Sequence, residues 1–367
     1  MRKKLKNRSK TFLCVVIMLL VITNCVTLFF WLQGISVQDL KDYFLQPVGE
    51  IVEEEEGNVL KLGDVTPSSL DAYYIDIINI GDSNLIKLGD YEILIDGGEK
   101  RDGTDAVVPF LKEKVTDGII ELTIVTHSDS DHNGGFSGLK DDGAYTGIFY
   151  SGFRFAYITD YGYKEKYENT EYEDAREHAL NVGNGKYQSI NDAFTGKENT
   201  YYKVVIGEDF SLEFIDTGYY DIYGANVNDR SIVCIVKYFD YTFFYGGDIN
   251  DDQEELLIEK YDLPKINFYK ASHHGSITSN CKEFLDVINP DFIFLNCEIE
   301  NQHNIPNIKS LEVLTKYAND NMYVTGLNGT IDVRITSSDV VVLCANNNTK
   351  FIDTEYYDKI MNGEIHK

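Results

Sequence analysis

The sequence predicts a layered α/β domain that follows a single N-terminal transmembrane helix. Three observations lead to this prediction: an uncharged apolar run lies near the N-terminus, strand-like and helix-like segments alternate after it, and short segments rich in His and Asp follow several of the strands. Alternating strands and helices are typical of folds in which helices cover a sheet. The composition, 43% apolar and 25% charged, excludes a wholly disordered, collagen-like or multi-span membrane chain.

The N-terminus has the pattern of a membrane anchor. Residues 1–10 form a basic tail, and residues 11–32 contain no charged side chain. At about 1.5 Å per residue, the apolar run extends roughly 33 Å, which is enough to cross a hydrocarbon core of about 30 Å. The positive-inside rule places the basic tail in the cytoplasm, so we expect a single-pass cell-membrane protein with an extracytoplasmic domain. The alternative is a cleaved signal peptide, whose apolar region is usually only about 7–15 residues long.

The chain is strongly acidic, with 33 basic and 60 acidic side chains and a net charge of −27. This charge favours solubility and repels polyanions. No cluster of Lys and Arg interleaved with aromatic residues indicates a nucleic-acid groove. Nucleic acid is therefore a disfavoured partner, and a phosphate-bearing substrate would need a local positive centre such as bound metal. The spacing of the remaining cysteines, Cys234, Cys281, Cys297 and Cys344, is too wide for a zinc motif. One disulfide among them is an open alternative, and the sequence does not assign its pairing.

Composition and periodicity divide the rest of the chain. Residues 33–70 are predicted to be an acidic linker, residues 71–345 the folded domain, and residues 346–367 a C-terminal tail. Within the domain, residues 150–200 are rich in Tyr and weakly periodic, which predicts an insertion. The predicted strands are 73–80, 84–95 with a turn at Gly89-Asp90, 121–126, 203–206, 211–215, 231–239, 241–245, 265–270, 291–296, 322–325 and 330–342, and the predicted helices are 105–116, 251–260, 281–288 and 307–318.

The segment THSDSDHNGG, residues 126–135, is the main indication of function. His127, Asp129, Asp131 and His132 lie within six residues, directly after a predicted buried strand. Imidazole and carboxylate groups at this spacing can converge on a metal ion from a single loop. The alternative is a solvated polar turn that caps a helix, but the segment contains four potential ligands and no Lys or Arg.

Three further segments place an acid or an imidazole directly after a predicted strand. Asp96 precedes two glycines in IDGGE, Asp248 follows two glycines in YGGDI, and His273 and His274 lie in KASHHGS. Each alone is a weak signal, because an Asp-Gly pair is commonly a simple turn and a His pair can be structural. Together they predict a shared site, because strand ends can meet at one edge of a sheet.

In their order these motifs resemble the metallo-β-lactamase superfamily, and more narrowly the hydrolase domain of ComEC-type competence proteins. The resemblance covers roughly residues 71–342 and runs through LIDGG, HSDSDHNGG, NDRSIV, GGD and HHGS to a His-containing segment before a helix. It implies that residues 71–345 form an αββα four-layer sandwich. It also implies two divalent metal ions, zinc or manganese, at one edge of the sheets.

The resemblance implies ligand roles for individual residues. His127 and Asp129 match ligands of the first ion, and Asp131 and His132 match ligands of the second. Asp248 matches the carboxylate that bridges the two ions. Two further residues complete the implied site: His274 matches the last ligand because that His usually precedes Gly, and Asp96 matches a supporting acid that orients a ligand His through its second ring nitrogen.

The resemblance also implies catalytic roles and shows two departures from the family pattern. Asp131 would hold the attacking water, His273 would face the substrate phosphate, and His303 would approach the substrate or leaving group. Asp129 stands where the commoner motif has His, which favours harder ions such as Mn²⁺ over Zn²⁺. The family's separate His ligand before the GGD motif has no clear counterpart, since the available His178 lies in a segment typical of an exposed helix.

These features predict a membrane-anchored, extracytoplasmic, metal-dependent hydrolase, most simply a phosphodiesterase that uses metal-activated water. Two substrates remain open. The ComEC-like resemblance implies a DNA nuclease linked to DNA uptake, whereas similarity to secreted enzymes that remove phosphorylcholine from teichoic acid suits an acidic, Tyr-rich surface through cation–π contacts. A third alternative is a lactonase or other carboxyl-ester hydrolase. The non-enzymatic alternative is a metal-poor binding ectodomain.

Overall fold

The computed structural model describes residues 58–78, 80–162, 170–220, 222, 225–336 and 339–366. The predicted basic tail at 1–10, the predicted transmembrane segment at 11–32 and most of the predicted linker lie outside these residues. Within the described part of the chain, no helix combines the length and the apolar character that a membrane crossing requires. The four cysteines in this part carry free thiols.

The described residues include eighteen strands. They are β1 (Val59–Gly63), β2 (Ser69–Tyr74), β3 (Asn84–Leu88), β4 (Tyr91–Ile95), β5 (Ile119–Val125), β6 (Lys140–Asp141), β7 (Ala144–Tyr145), β8 (Arg154–Asp160), β9 (Lys186–Ser189), β10 (Lys203–Ile206), β11 (Phe210–Ile215), β12 (Val233–Tyr238), β13 (Tyr241–Tyr245), β14 (Phe268–Lys270), β15 (Phe292–Leu295), β16 (Met322–Val324), β17 (Ile331–Thr336) and β18 (Val340–Cys344). They form two eight-stranded sheets and one short hairpin, β6–β7.

The helices are mostly short. The α-helices are α1 (Lys100–Asp102), α2 (Val108–Lys114), α3 (Ser130–Ser137), α4 (Thr170–Gly183), α5 (Ile190–Phe194), α6 (Asp251–Lys260), α7 (Lys282–Ile288), α8 (Ile308–Leu314), α9 (Thr325–Asn328) and α10 (Glu355–Met361). A π-helical turn, Gly103–Val107, joins α1 to α2, and the 3₁₀ turns are Ile148–Tyr150, Asn228–Arg230, Ser272–Gly275, Ala318–Asp320 and Phe351–Asp353.

The two large sheets differ in order and share one pattern of mixed pairing. The first sheet has the order β18-β17-β2-β3-β4-β5-β8-β9, and the second has the order β1-β10-β11-β12-β13-β14-β15-β16. β4 pairs parallel with β5, and β13 pairs parallel with β14. Strands that pair in parallel are usually covered on both faces, and the last three residues of β5 and of β13 are all buried. The carboxyl ends of these four strands carry the site described below.

The layers run helix, sheet, sheet, helix. The inner faces of the two sheets pack on each other through side chains such as Ile93 and Phe243. Helices α2, α3 and α4 cover the outer face of the first sheet, with Phe136 of α3 fully buried there. Helices α6, α7 and α8 cover the second sheet, with Phe284 of α7 buried against it. Burying each such aromatic side chain contributes roughly 1.5–3 kcal/mol. The predicted α/β class is therefore confirmed.

Many predicted elements coincide with observed ones, and two differ for clear reasons. The bounds of β10, β13 and α6 match the predicted 203–206, 241–245 and 251–260. The strand predicted at 73–80 ends at Tyr74, because the chain then leaves the sheet and returns at Asn84. The strand predicted at 330–342 coincides with two antiparallel strands, β17 and β18, a division that periodicity alone does not reveal.

The structure also assigns secondary structure to segments that the sequence analysis placed outside the domain core. The predicted linker contains β1, which pairs parallel with β10. The segment predicted as an insertion, 150–200, contains β8, which pairs with β5 along seven-residue strands in the first sheet. The predicted C-terminal tail contains α10, whose Ile360 is fully buried. In each case contacts with residues distant in the sequence accompany the element: strand pairing for β1 and β8, and burial of Ile360 for α10.

Candidate metal site

The site lies where the carboxyl ends of β4, β5, β13 and β14 meet. Asp96 follows β4, His127 follows β5 after one residue, Asp248 follows the two glycines after β13, and the turn Ser272–Gly275 follows β14. Because the two sheets stack and each contributes a parallel pair, these strand ends lie at one common edge. The four segments singled out in the sequence therefore come together in space.

Tight packing between two of these segments sets the position of the His- and Asp-rich loop. Helix α3 begins at Ser130 and carries His132 in its first turn. The N–H of Gly97 donates to the carbonyl of His132 at 2.8 Å, and the N–H of Gly135 donates to the carbonyl of Gly98 at 2.7 Å. A Cβ atom on Gly135 would lie 1.8 Å from the carbonyl oxygen of Gly97. The paired glycines of both motifs are thus needed for backbone contact.

Four of the predicted ligands form one cluster. Asp131, His132, Asp248 and His274 each offer a ligand atom, and these atoms all lie within 4.8 Å of one another. The Nε2 atoms of His132 and His274 are 3.3 Å apart. Asp248 Oδ1 lies 3.2 Å from His132 Nε2, and Asp131 Oδ2 lies 3.6 Å from His274 Nε2. All are buried except Asp131, which keeps 26% of its side chain exposed.

The two residues matched to a first ion lie beside this cluster. His127 Nε2 is 3.8 Å from Asp129 Oδ2, and the ring centroid of His127 is 4.1 Å from that of His132. His127 is fully buried, and its Nε2 makes no hydrogen bond to any residue that the structure describes. A buried polar atom of this kind normally has a partner. A cation held by His127 and Asp129 would supply one.

A second group of potential ligands lies next to this cluster. Its acids already pair with hydrogen-bond donors and with an ammonium group. It consists of Asp82, Asp96 and His132. Asp96 accepts from the N–H and the hydroxyl of Thr126, both at 2.7 Å, and pairs with His132 Nδ1 at 2.8 Å. Asp82 forms an ion pair with the ammonium group of Lys270. Since His132 donates Nδ1–H to Asp96, its Nε2 faces Asp131, Asp248 and His274, which is the orientation predicted for Asp96.

The charges of the four-residue cluster and of the neighbouring His127 also fit the binding of a divalent metal ion. Burial lowers the pKa of His127 well below its usual range, so its ring is neutral and can donate a lone pair. Burial opposes protonation of His274, but the charges of Asp248 and Asp82 outweigh it and raise the pKa of His274 to about 9. Burial would raise the pKa of Asp248, yet the neighbouring imidazolium groups hold it well below its usual range. Protons thus provide positive charge that a divalent cation would replace on binding.

The adjacent histidines of the fourth segment differ in position. Both have positive φ, 49° at His273 and 54° at His274, a backbone strain that costs about 1–3 kcal/mol per residue and is typical of functional sites. His274 donates Nδ1–H to the carbonyl of Asn296 at 3.0 Å, which directs its Nε2 into the cluster. His273 stays at the rim with 22% of its side chain exposed, and its Nε2 lies 3.6 Å from Asp248 Oδ2.

Two other histidines do not join the cluster. His303 is exposed in the loop between β15 and α8, where its Nε2 lies 3.3 Å from Gln302 Nε2. Within the described chain, no hydrogen bond or ion pair links His303 to the cluster. His178 is exposed on α4 and stacks on Tyr150 with 4.5 Å between ring centroids, so it supplies no ligand for the first ion.

The sequence analysis missed four residues that support the site. Thr126 binds Asp96, and Asp82 pairs with Lys270, whose Nζ also donates to the carbonyl of Gly247 at 3.0 Å. Ser231 is the fourth residue, described next. Only weak signals were present: Asp82 is another acid after a strand, and Lys270 is a lysine that directly precedes the buried ASHHG segment. Distant side chains make these contacts, so local spacing carries no record of them.

Ser231 joins the loops from both sheets. Its hydroxyl accepts from the backbone N–H of Asp248 at 3.0 Å and lies 3.3 Å from Nδ1 of His127. With Nδ1–H directed at this hydroxyl and at Thr126, the Nε2 of His127 is left to face Asp129. One serine therefore orients a proposed ligand of the first ion and the proposed bridging carboxylate.

We expect the substitution Ser231→Ala to weaken Mn²⁺ binding roughly 10- to 100-fold, the usual loss when an outer partner of a metal ligand is removed. Isothermal titration calorimetry on the metal-stripped full-length protein measures this affinity. Ser211→Ala is a matched control, because Ser211 lies on β11 opposite Lys237 and away from the site. Equal Mn²⁺ affinity in the Ser231→Ala variant and the wild type would contradict the assigned role.

Comparison with known proteins gives limited matches. No family model matches this chain. ComE operon protein 3 of Bacillus subtilis (strain 168) is 26% identical over 110 residues, which cover 30% of this chain and 14% of that protein. The chain thus matches only a small part of that relative's length. The match is consistent with the resemblance to ComEC-type proteins and does not confirm that branch.

Solved structures similar to this chain include metal-dependent hydrolases. Tm1679, a metal-dependent hydrolase of the β-lactamase superfamily, has 11% identity and a TM-score of 0.40, and the similarity covers 74% of this chain and 100% of that one. Igni18, a metallo hydrolase from Ignicoccus hospitalis KIN4/I, has 11% identity and a TM-score of 0.37, with coverage of 75% and 98%. The function proposed below therefore rests on the side chains of this chain.

Proposed function

We propose that this chain is a metal-dependent hydrolase that cleaves a phosphodiester with water and uses two divalent cations, zinc or manganese. One observation carries the proposal: Asp131, His132, Asp248 and His274 converge from three loops, with lone-pair atoms within 4.8 Å of one another. So many acceptor atoms at such short distances repel one another unless protons or cations lie between them. The Nε2 of His127 lies beside Asp129 and makes no hydrogen bond to any described residue, which supports a second ion.

The residues around the cluster have distinct proposed tasks. Bound divalent cations would supply the positive charge that makes a water more acidic and offsets the charge of the reacting phosphoryl group. Asp131 is the member open to solvent, and its Oδ2 would accept a proton from the attacking water and direct it. His273, at the rim, would donate a hydrogen bond to a substrate oxygen. His303 remains a candidate for the leaving-group side on its exposed loop.

The reaction class is tested first. Full-length protein, purified in detergent and loaded with Mn²⁺ or Zn²⁺, should hydrolyse bis(p-nitrophenyl) phosphate. Exhaustive chelation should reduce the rate more than about 100-fold, and the metal should restore it, because the cations supply most of the electrostatic stabilisation. Full activity after chelation would contradict the proposal. Less than one equivalent of bound metal in the metal-replete protein would favour the binding-ectodomain alternative.

Two substrates are carried forward. The resemblance to ComEC-type competence proteins favours a DNA nuclease linked to DNA uptake, and the partial match to ComE operon protein 3 is consistent with that resemblance. The net charge of −27 favours an ester with a cationic group, such as the phosphorylcholine of teichoic acid. Comparing hydrolysis of single-stranded DNA with that of p-nitrophenyl phosphorylcholine by the same metal-loaded preparation separates them.

We also propose that residues 11–32 anchor the protein in the cell membrane as a single span, with the hydrolase domain on the extracytoplasmic side. The uncharged apolar run after a basic tail supports this orientation. Protease added to intact cells lacking an outer barrier should degrade the domain while the N-terminal tail stays protected. Recovery of the protein in the soluble fraction after cell lysis would contradict the anchor.

A further inference from the structure

An anionic substrate faces an unfavourable field at this site. The chain carries a net charge of −27, and three of its carboxylates, Asp129, Asp131 and Asp248, lie at the site itself. Lys270 lies close by, but it is 1% exposed beneath the cluster and paired with Asp82, so it does not reach a substrate. Beside the proposed cations, a cationic side chain at the open side of the cluster would strengthen the binding of an anionic ester.

A cleft beside the cluster contains such a side chain. The residues lining it are His127, Ser128, Tyr161, Val227 and Arg230. Arg230 is only 3% exposed, and its Nη2 donates to the carbonyl of Ile222 at 2.9 Å. A guanidinium group held in this way has lost most of its side-chain freedom before any ligand arrives, which lowers the entropic cost of binding.

The turn that carries Arg230 is tied to the metal loops. Asp229 Oδ1 accepts from Asn250 Nδ2 at 2.6 Å, just after the GGD segment. Asn228 Nδ2 lies 3.4 Å from Nε2 of His273, and Ser231 follows directly with its contacts to Asp248 and His127. The position of Arg230 is therefore coupled to the atoms that would hold the cations.

The turn Asn228–Arg230 also contains a buried polar atom that lacks a partner among the described residues. The side-chain oxygen of Asn228 is buried and makes no hydrogen bond to any residue in the described part of the chain. Buried amide oxygens nearly always have a partner. His127, which lines the neighbouring cleft, likewise has an unpartnered Nε2 among the described residues. One of these two atoms lies in the turn that carries Arg230, and the other belongs to a residue that lines the same cleft as Arg230.

We propose that Arg230 is the residue that recognises the anionic oxygen of the substrate, and that the cleft between His127 and Arg230 is the subsite for that oxygen. The planar guanidinium matches the geometry of phosphate oxygens, and charge-assisted hydrogen bonds to it are about twice as strong as neutral ones. This inference rests on the proposed function and narrows its substrate class to esters that carry a negative charge next to the scissile bond.

The test compares two substrates with the same leaving group and different charge. Bis(p-nitrophenyl) phosphate is an anion, and p-nitrophenyl acetate is neutral. We expect Arg230→Gln to lower the ratio of kcat/KM for the anion to kcat/KM for the neutral ester roughly 10- to 100-fold, the loss of a hydrogen bond to a charged group, with most of it in KM. Arg230→Lys should recover part of this ratio, because it keeps the charge without the planar fork.

Controls separate recognition from stability and from the proposed function. Arg334→Gln removes an exposed cation on β17, paired with Asp71, and should leave the ratio unchanged. An equal loss for both esters in Arg230→Gln, or an unchanged ratio, would overturn the proposal. If the wild type hydrolyses neither ester, the hydrolase proposal fails. Binding of inorganic phosphate to the Mn²⁺-loaded protein, measured by calorimetry, then still tests the subsite, which requires that Arg230→Gln weaken it at least about 10-fold.

Discussion

Replacing Asp248 with Asn should remove most of the bound divalent metal and lower phosphodiester hydrolysis more than about 100-fold, beyond the loss typical of an outer partner. Asp248 faces three imidazole rings: its oxygens lie 3.2 Å from His132 Nε2, 3.4 Å from His274 Nε2 and 3.6 Å from His273 Nε2. Asn keeps the shape and removes the charge, so the cations lose the carboxylate proposed to bridge them. Elemental analysis gives the metal content, and initial rates with bis(p-nitrophenyl) phosphate give the activity.

A matched control for this change lies at the other end of β13. Asp240 is exposed in the turn between β12 and β13, so Asp240→Asn also removes one carboxylate from the same hairpin. It should leave metal content and rate as in the wild type. Two equivalents of metal retained in Asp248→Asn would exclude the proposed bridging role. A rate that falls while the metal stays bound would instead assign Asp248 to the substrate.

The second large effect concerns the ion pair beneath the cluster. Lys270→Met should lower the free energy of unfolding of the metal-free protein by about 3–5 kcal/mol, because it leaves Asp82 as a buried carboxylate without its partner. Both side chains are almost fully buried, 1% and 2% exposed. Urea unfolding in the presence of chelator measures the change. Lys282→Met, which breaks an exposed pair with Asp286 on α7, should have little effect.

The double variant Asp82→Asn/Lys270→Met separates a charge effect from a shape effect. It replaces both partners by uncharged groups of similar size, and such replacement of a buried ion pair is often neutral or stabilising. Recovery of most of the lost free energy would show that the single variant fails through an unpaired charge. If the double variant is as unstable as Lys270→Met alone, the contact from Lys270 to Gly247 accounts for the loss instead.

Local sequence signals predicted much of the fold. The segments 203–206, 241–245 and 251–260 have clear apolar periodicity and clear breaks at both ends, and the structure has β10, β13 and α6 at these positions. Prediction was poorer where long-range pairing decides the element. β1 and β8 have little periodicity of their own and become strands through their neighbours β10 and β5.

The candidate site shows the same division. The acids and imidazoles that follow strands are recognisable from their spacing, so the sequence alone predicts Asp131, His132, Asp248 and His274 as ligands. The choice between His273 and His274 depends on the hydrogen bond to Asn296. The positions of Ser231 and Lys270 depend on contacts from the second sheet to the first. Side chains far apart in the chain make these contacts, and no local pattern encodes them.

The sequence by itself determined the α/β class, the strand ends that carry acid and imidazole, and the acidic character of the chain. These properties follow from residue type and periodicity, which act over a few neighbouring positions. Only the tertiary structure decided that His274, and not His273, enters the cluster. It also decided that the ammonium group of Lys270 pairs with Asp82 next to the cluster and that the buried guanidinium group of Arg230 lines the neighbouring cleft. The physical reason is that burial and electrostatic contact are properties of positions in space, and stacking of two sheets brings together residues more than a hundred positions apart.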